Sequence, residues 1–283
     1  MIVMRKRSKT WKSLVFTGCV VAAVFLIHAA CDTSEEGEPK PVKESTNFVP
    51  TKGRKYVYKV ESEGASAQAT RWIESEFDSL GIKVSEMLTE ISAFGQLILL
   101  NDNIFSINGK TYTEIKLPDA WYQTVDMLDA MPQIEVINTE IVGYPAFLTM
   151  DNVIRDGSRL EVSGPIQQEQ RIEYTDYDNP GSMLQTLLTH AGTATVETLE
   201  LPAGSFVCNK FTYQITKTIT ITVGDDTDTM NGVENITLWV AHGIGMVKMV
   251  SNEESAVLMP SVTGGLRLVK TNSSSSTTLH NIQ

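Results

Sequence analysis

The sequence predicts a mainly β fold: a curved antiparallel sheet, half-barrel-like in shape, with one or two short helices. Residues 206–223 alternate between polar and apolar side chains over many positions. From Phe48 onward, other short apolar runs are separated by polar turns. Regular alternation of strand patterns with helix patterns, which is typical of a parallel α/β sheet, is absent from the sequence.

The strongest strand signal is the segment FVCNKFTYQITKTITITV at residues 206–223. A strand places successive side chains on opposite faces, so residues of one parity share a face. Here the threonines and the aliphatic residues have opposite parities: Thr216, Thr218, Thr220 and Thr222 on one, and Ile215, Ile219, Ile221 and Val223 on the other. The pattern predicts one face towards water and one towards a core.

Weaker strand signals occur along the rest of the chain. Asn108-Gly109 is a two-residue hairpin turn between two alternating runs. The polar segment at 224–232 is predicted as another turn, with Asn231-Gly232 at its tip. The remaining predicted strands are 55–61, 81–87, 105–115, 193–201, 235–241, 245–250, 255–259 and 265–270.

One segment predicts a helix. In residues 117–131, Trp121, Val125 and Leu128 recur at helical spacing and form an apolar stripe. This stripe would pack under the sheet or cover its open side. Residues 182–190 are consistent with a second short helix or with another strand.

The N-terminus has the organisation of an export signal. An apolar run at residues 14–27 leads to Ala30 and Cys31, which resemble the lipobox of bacterial lipoproteins, although His28 stands where Leu is usual. Cys31 is therefore predicted to be the lipidation site, carrying acyl chains such as palmitate. An uncleaved membrane anchor, with Cys31 an incidental thiol, is the alternative. The basic residues before the apolar run are Arg5, Lys6, Arg7, Lys9 and Lys12.

These features divide the chain into four parts. Residues 1–30 are predicted as a lipoprotein signal peptide, and 31–46 as a lipid-anchored flexible tether rich in Ser, Glu, Gly, Pro and Lys. The β-rich domain is predicted to span 47–270. The Ser/Thr-rich residues 271–283 are predicted as a disordered tail.

Charge and cysteine content limit the partners. Without the five basic residues of the signal, the chain has 18 basic and 34 acidic side chains, a net charge of −16. Nucleic acid would be repelled by such a chain, so it is not a predicted partner. Cys208 would be the sole cysteine of the folded domain, which predicts no internal disulfide. The sequence predicts no cofactor.

Catalytic and metal-binding motifs are missing from the sequence. It has no G-x-S-x-G motif and no H-E-x-x-H motif. The acidic segment 225–232 lacks the spacing of a calcium loop and is interpreted as a solvated hairpin end. Cys208 lies in a predicted strand and is expected to be an inert buried thiol. We therefore predict no catalytic residues, no metal site and no enzyme activity.

Three segments together resemble TapB-like envelope proteins, a group of unknown function. FVPTKGRKYVY (48–58) resembles the group's opening motif, LPAGSFVCNK (201–210) its strand entry, and TLWVAHGIGMVK (237–248) its W-x-A-x-x-I-G-x-V-K turn. Tyr56 stands where the group more often has Trp. The resemblance implies a fold similar to the LolA, LolB and LppX lipoproteins, in which a half-barrel holds lipid. It implies no catalytic residues.

The leading hypothesis is a lipid-anchored protein of the bacterial cell envelope, at the outer membrane on its periplasmic or surface face. The curved sheet would bind a lipid or another apolar or amphiphilic ligand. Two alternatives are a non-catalytic protein–protein interaction module and, with the least support, a hydrolase acting on glycan or ester. The residues predicted to contact the ligand, which would equally fill an ordinary core, are Ile215, Ile219, Ile221 and Trp239.

Overall fold

A computed structural model describes residues 45–93, 96–117, 119–260 and 266–283. The predicted signal peptide and most of the predicted tether lie outside the described residues. The described residues are mainly β, with 75% in strands and 4% in one helix. The elements are β1 (Lys55–Ser62), β2 (Ala65–Ser79), β3 (Ile82–Ala93), β4 (Gln96–Ile107), β5 (Lys110–Ile115), α1 (Asp119–Asp129), β6 (Ile134–Val142), β7 (Ala146–Asp151), β8 (Arg159–Ser163), β9 (Gln167–Asp176), β10 (Asn179–Thr189), β11 (Gly192–Leu201), β12 (Gly204–Val223), β13 (Asp226–Ala241), β14 (Gly245–Pro260) and β15 (Leu266–Ile282).

Twelve of the described strands form a closed barrel, in the order β1-β2-β3-β4-β5-β7-β8-β11-β12-β13-β14-β15. Strand β15 closes the ring by pairing with β1, from Tyr56 opposite Ile282 onwards. The short contact of β11 with β8 completes the other side, with Gly192 opposite Leu160. The prediction of an open half-barrel is therefore wrong, because these two pairings remove the open edges.

Strand β12 belongs to the barrel and also to a smaller flanking sheet. Its first half, Gly204 to Thr212, pairs with β11. Its second half, Ile215 to Val223, pairs instead with β10, which continues to β9 and β6. Along its opposite edge β12 pairs with β13 over both halves. The sheet thus forks at residues 213–214, and β10, β9 and β6 leave the barrel wall.

Helix α1 covers the inner face of this flank. Its Trp121 and Leu128 are buried against Ile172, Ile219 and Ile221 of the sheet, in a cluster that we call the helix-covered core. The predicted helix is confirmed. Residues 182–190, left open between helix and strand, form most of β10. No helix within the described ranges is long and apolar enough to cross a membrane.

The predicted hairpin at Asn108-Gly109 is confirmed, and both residues have positive φ. The predicted turn at 224–232 is wrong in its extent. The chain reverses at Gly224, and β13 begins at Asp226, so Gly232 lies inside a strand opposite Lys217. Cross-strand hydrogen bonds between polar side chains extend this strand towards the turn, including one between the hydroxyls of Thr220 and Thr229 at 3.0 Å.

The prediction of a disordered tail at 271–283 is wrong. Strand β15 runs to Ile282 and pairs with β14 on one edge and β1 on the other. Paired backbone groups are satisfied whatever side chains the strand carries, so a serine-rich strand is stable between two partners. Leu279 is fully buried and fixes this strand to the core.

Candidate functional site

The barrel encloses a cavity of about 170 Å³, which we call the barrel cavity. Its wall is formed largely by apolar side chains that point inwards from strands on both sides of the ring. These include Met87, Ile104, Leu148, Met150, Leu238 and Met249. The cavity is smaller than the roughly 300–1,000 Å³ that is usual for sites of drug-sized ligands.

Residues 45–51, which we call the floor segment, cross the barrel and line one side of the cavity with Phe48 and Pro50. Phe48 is fully buried. The segment is fixed to the turn between β13 and β14, because Thr51 N donates to Gly243 O at 2.8 Å and Gly243 N donates to Asn47 O at 2.8 Å. The chain that leads towards Cys31 therefore enters the fold at the cavity.

A buried network of hydrogen bonds fixes the floor segment to the neighbouring strands. Phe48 N donates to Thr111 Oγ1 at 3.2 Å, and this hydroxyl donates to Asn152 Oδ1 at 2.6 Å. Asn152 Nδ2 donates to Ser106 Oγ at 2.9 Å. The ring of His242 lies 5.1 Å from that of Phe48, and its Nε2 is 2.5 Å from Asn152 O. Such satisfied buried networks fix a local structure, and here they fix the cavity floor.

Two glycines permit the close approach of the floor segment. Gly243 and Gly245 both have positive φ, at 69° and 76°. A Cβ atom on Gly245 would lie 3.0 Å from Phe48 O and 3.3 Å from Pro50 Cγ. Glycine is therefore required at residue 245 both by the backbone conformation and by the neighbouring chain.

Two tyrosines from β1 supply hydroxyl groups at the cavity wall. Tyr56 Oη donates to Gly243 O at 2.9 Å, and Tyr58 Oη donates to Met246 O at 2.7 Å. Burial raises the pKa of Tyr58 to about 12 and also raises the pKa of Tyr56. Both phenols therefore remain neutral at physiological pH, and they connect β1 to the turn beneath the cavity.

Arg71 is the charged group among the described residues that line the barrel cavity. Its Nε donates to Thr89 Oγ1 at 3.0 Å, and its Nη2 lies 3.6 Å from Asp102 Oδ2. The second distance is that of an ion pair longer than a good hydrogen bond. Burial raises the pKa of Asp102, and Arg71 only partly offsets this.

A layer of charged side chains separates the barrel cavity from the helix-covered core. Lys217 Nζ lies 3.0 Å from Glu234 and 2.6 Å from Glu253, and Ser251 Oγ donates to Glu234 at 2.7 Å. Lys217 lies on the inward parity of β12, among the isoleucines predicted to face a core. Burial lowers the pKa of Lys217, but the two carboxylates outweigh this effect and raise it overall.

The four residues predicted to contact a ligand do not meet in one place. Ile219 and Ile221 belong to the helix-covered core, and Ile215 packs on the other side of the Lys217 layer. Trp239 is buried as expected, but it lies between Leu238 and Val240, which line the cavity, and so faces the opposite side of the sheet. Their role as ligand contacts stays a prediction.

Trp239 instead packs in an apolar cluster that includes Cys208, Val247 and Leu279, and it also makes polar contacts. The ammonium groups of Lys210 and Lys248 lie 5.2 and 5.1 Å from its ring centroid. Its Nε1 donates to Glu197 Oε2 at 3.2 Å, and this carboxylate also pairs with Lys210 at 2.9 Å. The apolar packing and these polar contacts together account for its burial without a ligand.

About half of the residues that line the cavity lie in two of the segments that resemble the TapB-like proteins. The segment 48–58 supplies Phe48, Pro50, Tyr56 and Tyr58, and the segment 237–248 supplies further lining residues around the turn. The two segments touch through the hydrogen bonds of Gly243. A joint occurrence of both motifs was therefore the available signal for this site.

Groups suited to catalysis are few in the part of the chain that the structure describes. No group of three or more His, Cys, Asp or Glu side chains there is placed to hold a metal ion. Cys208 is fully buried, and burial raises the pKa of its thiol to about 12. The thiol is therefore protonated at neutral pH. That the protein is not an enzyme stays a prediction.

No family model and no curated protein matches the chain. The fold is similar to that of a "putative lipoprotein" from Parabacteroides distasonis, with 15% identity over 85% of this chain and 100% of the other, at a TM-score of 0.41. It is also similar to a "putative exported protein with YmcC-like fold" from Bacteroides fragilis, with 12% identity over 84% and 99% of the two chains, at a TM-score of 0.37. Neither description names a TapB-like or LolA-like protein, so that resemblance stays a prediction.

Proposed function

We propose that this chain is a lipid-anchored protein of the bacterial cell envelope whose barrel binds a single apolar or amphiphilic chain. The barrel cavity carries the ligand-binding part of this proposal, because a concave apolar space with a few fixed polar groups is the usual form of a small-molecule site. The basic head, the apolar run and Cys31 support the location.

The ligand-binding part is tested with octanol, a neutral alkyl chain of suitable size. The full chain, purified from a bacterial host into lipid nanodiscs, is dialysed to equilibrium against radiolabelled octanol. Empty nanodiscs give the share that partitions into the bilayer. We expect binding above this background, and we expect Met249→Trp to abolish it, because Met249 lines the cavity and the larger side chain fills it.

A matched control uses the same substitution outside the cavity. Met230 is a partly buried residue of β13 that packs against the helix-covered core. Met230→Trp is expected to bind octanol like the unmodified chain. Equal binding by all three proteins, or binding by none of them, contradicts the proposed site.

Location is tested by metabolic labelling with palmitate in a bacterial host. We expect label on the unmodified chain and none on Cys31→Ala. Cys208→Ala is the control, since its thiol is buried. Label that persists in the Cys31 variant contradicts the anchor.

A protein-interaction function is the second candidate, and the edge of the flanking sheet favours it. Strand β6 pairs with β9 alone among the described strands, and Ile137, Ile141 and Val142 on it are exposed. Exposed apolar residues on an unpaired edge are typical of a docking strand. A photo-crosslinker at Ile137 should capture a discrete partner in cells, and one at Thr220 on the polar outer face should not. Equal capture at both positions contradicts this function.

A further inference from the structure

Arg71 is an unusual residue for its place in the barrel. It lies on β2 between Ala69 and Ile73 on the inward parity, and both of these neighbours are almost fully buried. Its own side chain is 17% exposed, and it lines the cavity. A guanidinium cannot lose its charge at physiological pH. Its desolvation must therefore be offset by a partner, and the cavity is the space next to it.

The partner that the protein itself provides is incomplete. Asp102 approaches Nη2 only to 3.6 Å, although a charge-assisted hydrogen bond is about 2.7–2.9 Å long. Burial raises the pKa of Asp102, so this carboxylate is held less firmly in its charged form than an exposed one. The phenols beside Arg71 are neutral donors and add no negative charge.

We propose that the ligand of the barrel cavity carries one carboxylate at the end of an alkyl chain, and that this carboxylate binds Arg71. The inference rests on the proposed function, since it names the head group of the same ligand. The alkyl chain lies against Met87, Ile104 and Met249, and the head group takes the side of the guanidinium that faces the cavity.

Charge balance selects a carboxylate over a phosphate. A phosphate monoester carries about −1.5 to −2 charges at pH 7. Arg71 already has Asp102 as a partner at 3.6 Å, and the charges that act on Asp102 include Lys116 and Glu114, so the two cations and two carboxylates of this site balance. A ligand with a single negative charge therefore adds less unbalanced charge to this site than a phosphate does.

The test compares octanoate, octyl phosphate and octanol, which share one chain and differ in the head group. The same nanodiscs and dialysis are used at pH 7.5, and empty nanodiscs are subtracted. We expect octanoate to bind roughly tenfold more tightly than octanol, since one charge-assisted bond is worth about that factor. Octyl phosphate is expected to bind no better than octanol.

Variants then assign the difference to Arg71. Arg71→Met should remove the tenfold preference for octanoate over octanol, a ratio that is compared within the same variant. Asp102→Asn should strengthen octanoate binding, because it removes the competing carboxylate and preserves the shape. This second variant tests the inference independently should Arg71→Met fail to fold, which circular dichroism reports.

The outcomes separate this inference from the proposed function. Binding of octanol and octanoate with equal affinity overturns the inference and leaves the proposed function intact. A preference for octanoate that survives in Arg71→Met overturns it as well. Tighter binding of octyl phosphate overturns the choice of carboxylate. Absence of binding by all three compounds overturns both proposals.

Discussion

The barrel cavity and the helix-covered core share the strands β12, β13 and β14, yet they differ in what fills them. Strand β12 sends Tyr213 to the cavity and Ile219 and Ile221 to the helix-covered core. In the second region, Trp121 and Leu128 from α1 occupy the space between the inward side chains. In the first, no helix enters within the described residues, and the floor segment covers one side while about 170 Å³ stays open.

Strand periodicity therefore indicates which face of a strand is apolar. It does not indicate which element covers that face. Both regions show alternating apolar residues of similar size. A site and a core become distinguishable only when the covering element is known. In this protein, Lys217 marks the boundary between them, because its charged layer interrupts the apolar face of β12.

The largest expected effect comes from breaking this boundary. Lys217→Met leaves Glu234 and Glu253 without their counter-ion in a largely buried place, which should cost about 4 kcal/mol in the free energy of unfolding. Denaturant titration measures the loss. Lys270→Met is the control, since the side chain of Lys270 is 58% exposed and a surface ion pair contributes about 1 kcal/mol or less. Equal losses of stability in both variants would show that the ion pairs of Lys217 contribute no more than a surface ion pair.

The same layer makes a prediction about pH. The carboxylates raise the pKa of Lys217 above its ordinary 10.5, so the folded state holds the proton more firmly than the unfolded state. Its stabilisation is therefore complete below pH 10.5 and is lost as pH rises through the higher folded value. We expect the unmodified chain to lose more stability than Lys217→Met in this range. A parallel decline of the two would contradict the pairing.

The next effect sharpens the contrast on the helix side. Leu128 is fully buried in the helix-covered core, so Leu128→Ala should destabilise the fold by about 3 kcal/mol. Octanol binding in the barrel cavity should not change under conditions where the variant is folded. Leu97→Ala, at a position 59% exposed, should have almost no effect on stability. A loss of octanol binding in Leu128→Ala would show that the two regions are coupled.

A smaller effect is expected on the cavity side. Gly245→Ala places a methyl group 3.0 Å from Phe48 O at a positive φ, and should cost about 2 kcal/mol while weakening octanol binding. Gly224→Ala also has a positive φ but meets no atom within 4 Å, so it should cost about 1 kcal/mol and leave binding unchanged. Equal results for the two glycines would contradict the role of the floor segment.

The smallest effect concerns Cys208, which lies in the apolar cluster around Trp239. Cys208 is fully buried and its pKa is raised to about 12, so iodoacetamide at pH 8 should leave it unlabelled in the folded protein. Peptide mapping by mass spectrometry, with a denatured sample as the positive control, measures this. Rapid labelling of the folded protein would show that the packing around Cys208 opens.

Local features of the fold could be predicted from the sequence. The alternation of Thr218 and Thr220 with Ile219 and Ile221, the turn at Asn108-Gly109 and the helix at 117–131 all follow from short-range pattern. Barrel closure could not be predicted, because it depends on the short pairing of Gly192 and Thr193 with β8. A pairing of two residues is too short to produce a recognisable pattern in the sequence.

The candidate site was predicted only as an inner face of a sheet. Ile215, Ile219 and Ile221 do face inwards, but the fork of β12 assigns them to different regions. The prediction of a disordered tail was wrong for a related reason, since the serine content of residues 271–283 does not indicate the two strands that pair with β15. Long-range pairing decided each of these outcomes.

The pairing of β1 with β15 also governs the order of assembly. Tyr56 and Ile282 lie opposite one another although they are more than two hundred positions apart in the chain. Loop-closure entropy makes such a pairing slow to form, and barrels rich in distant contacts commonly fold in milliseconds to seconds. Until the two strands meet, both present open edges that can pair with other chains. When the chain is synthesised from its N-terminus, the barrel interior therefore cannot close around a ligand until β15 has paired with β1.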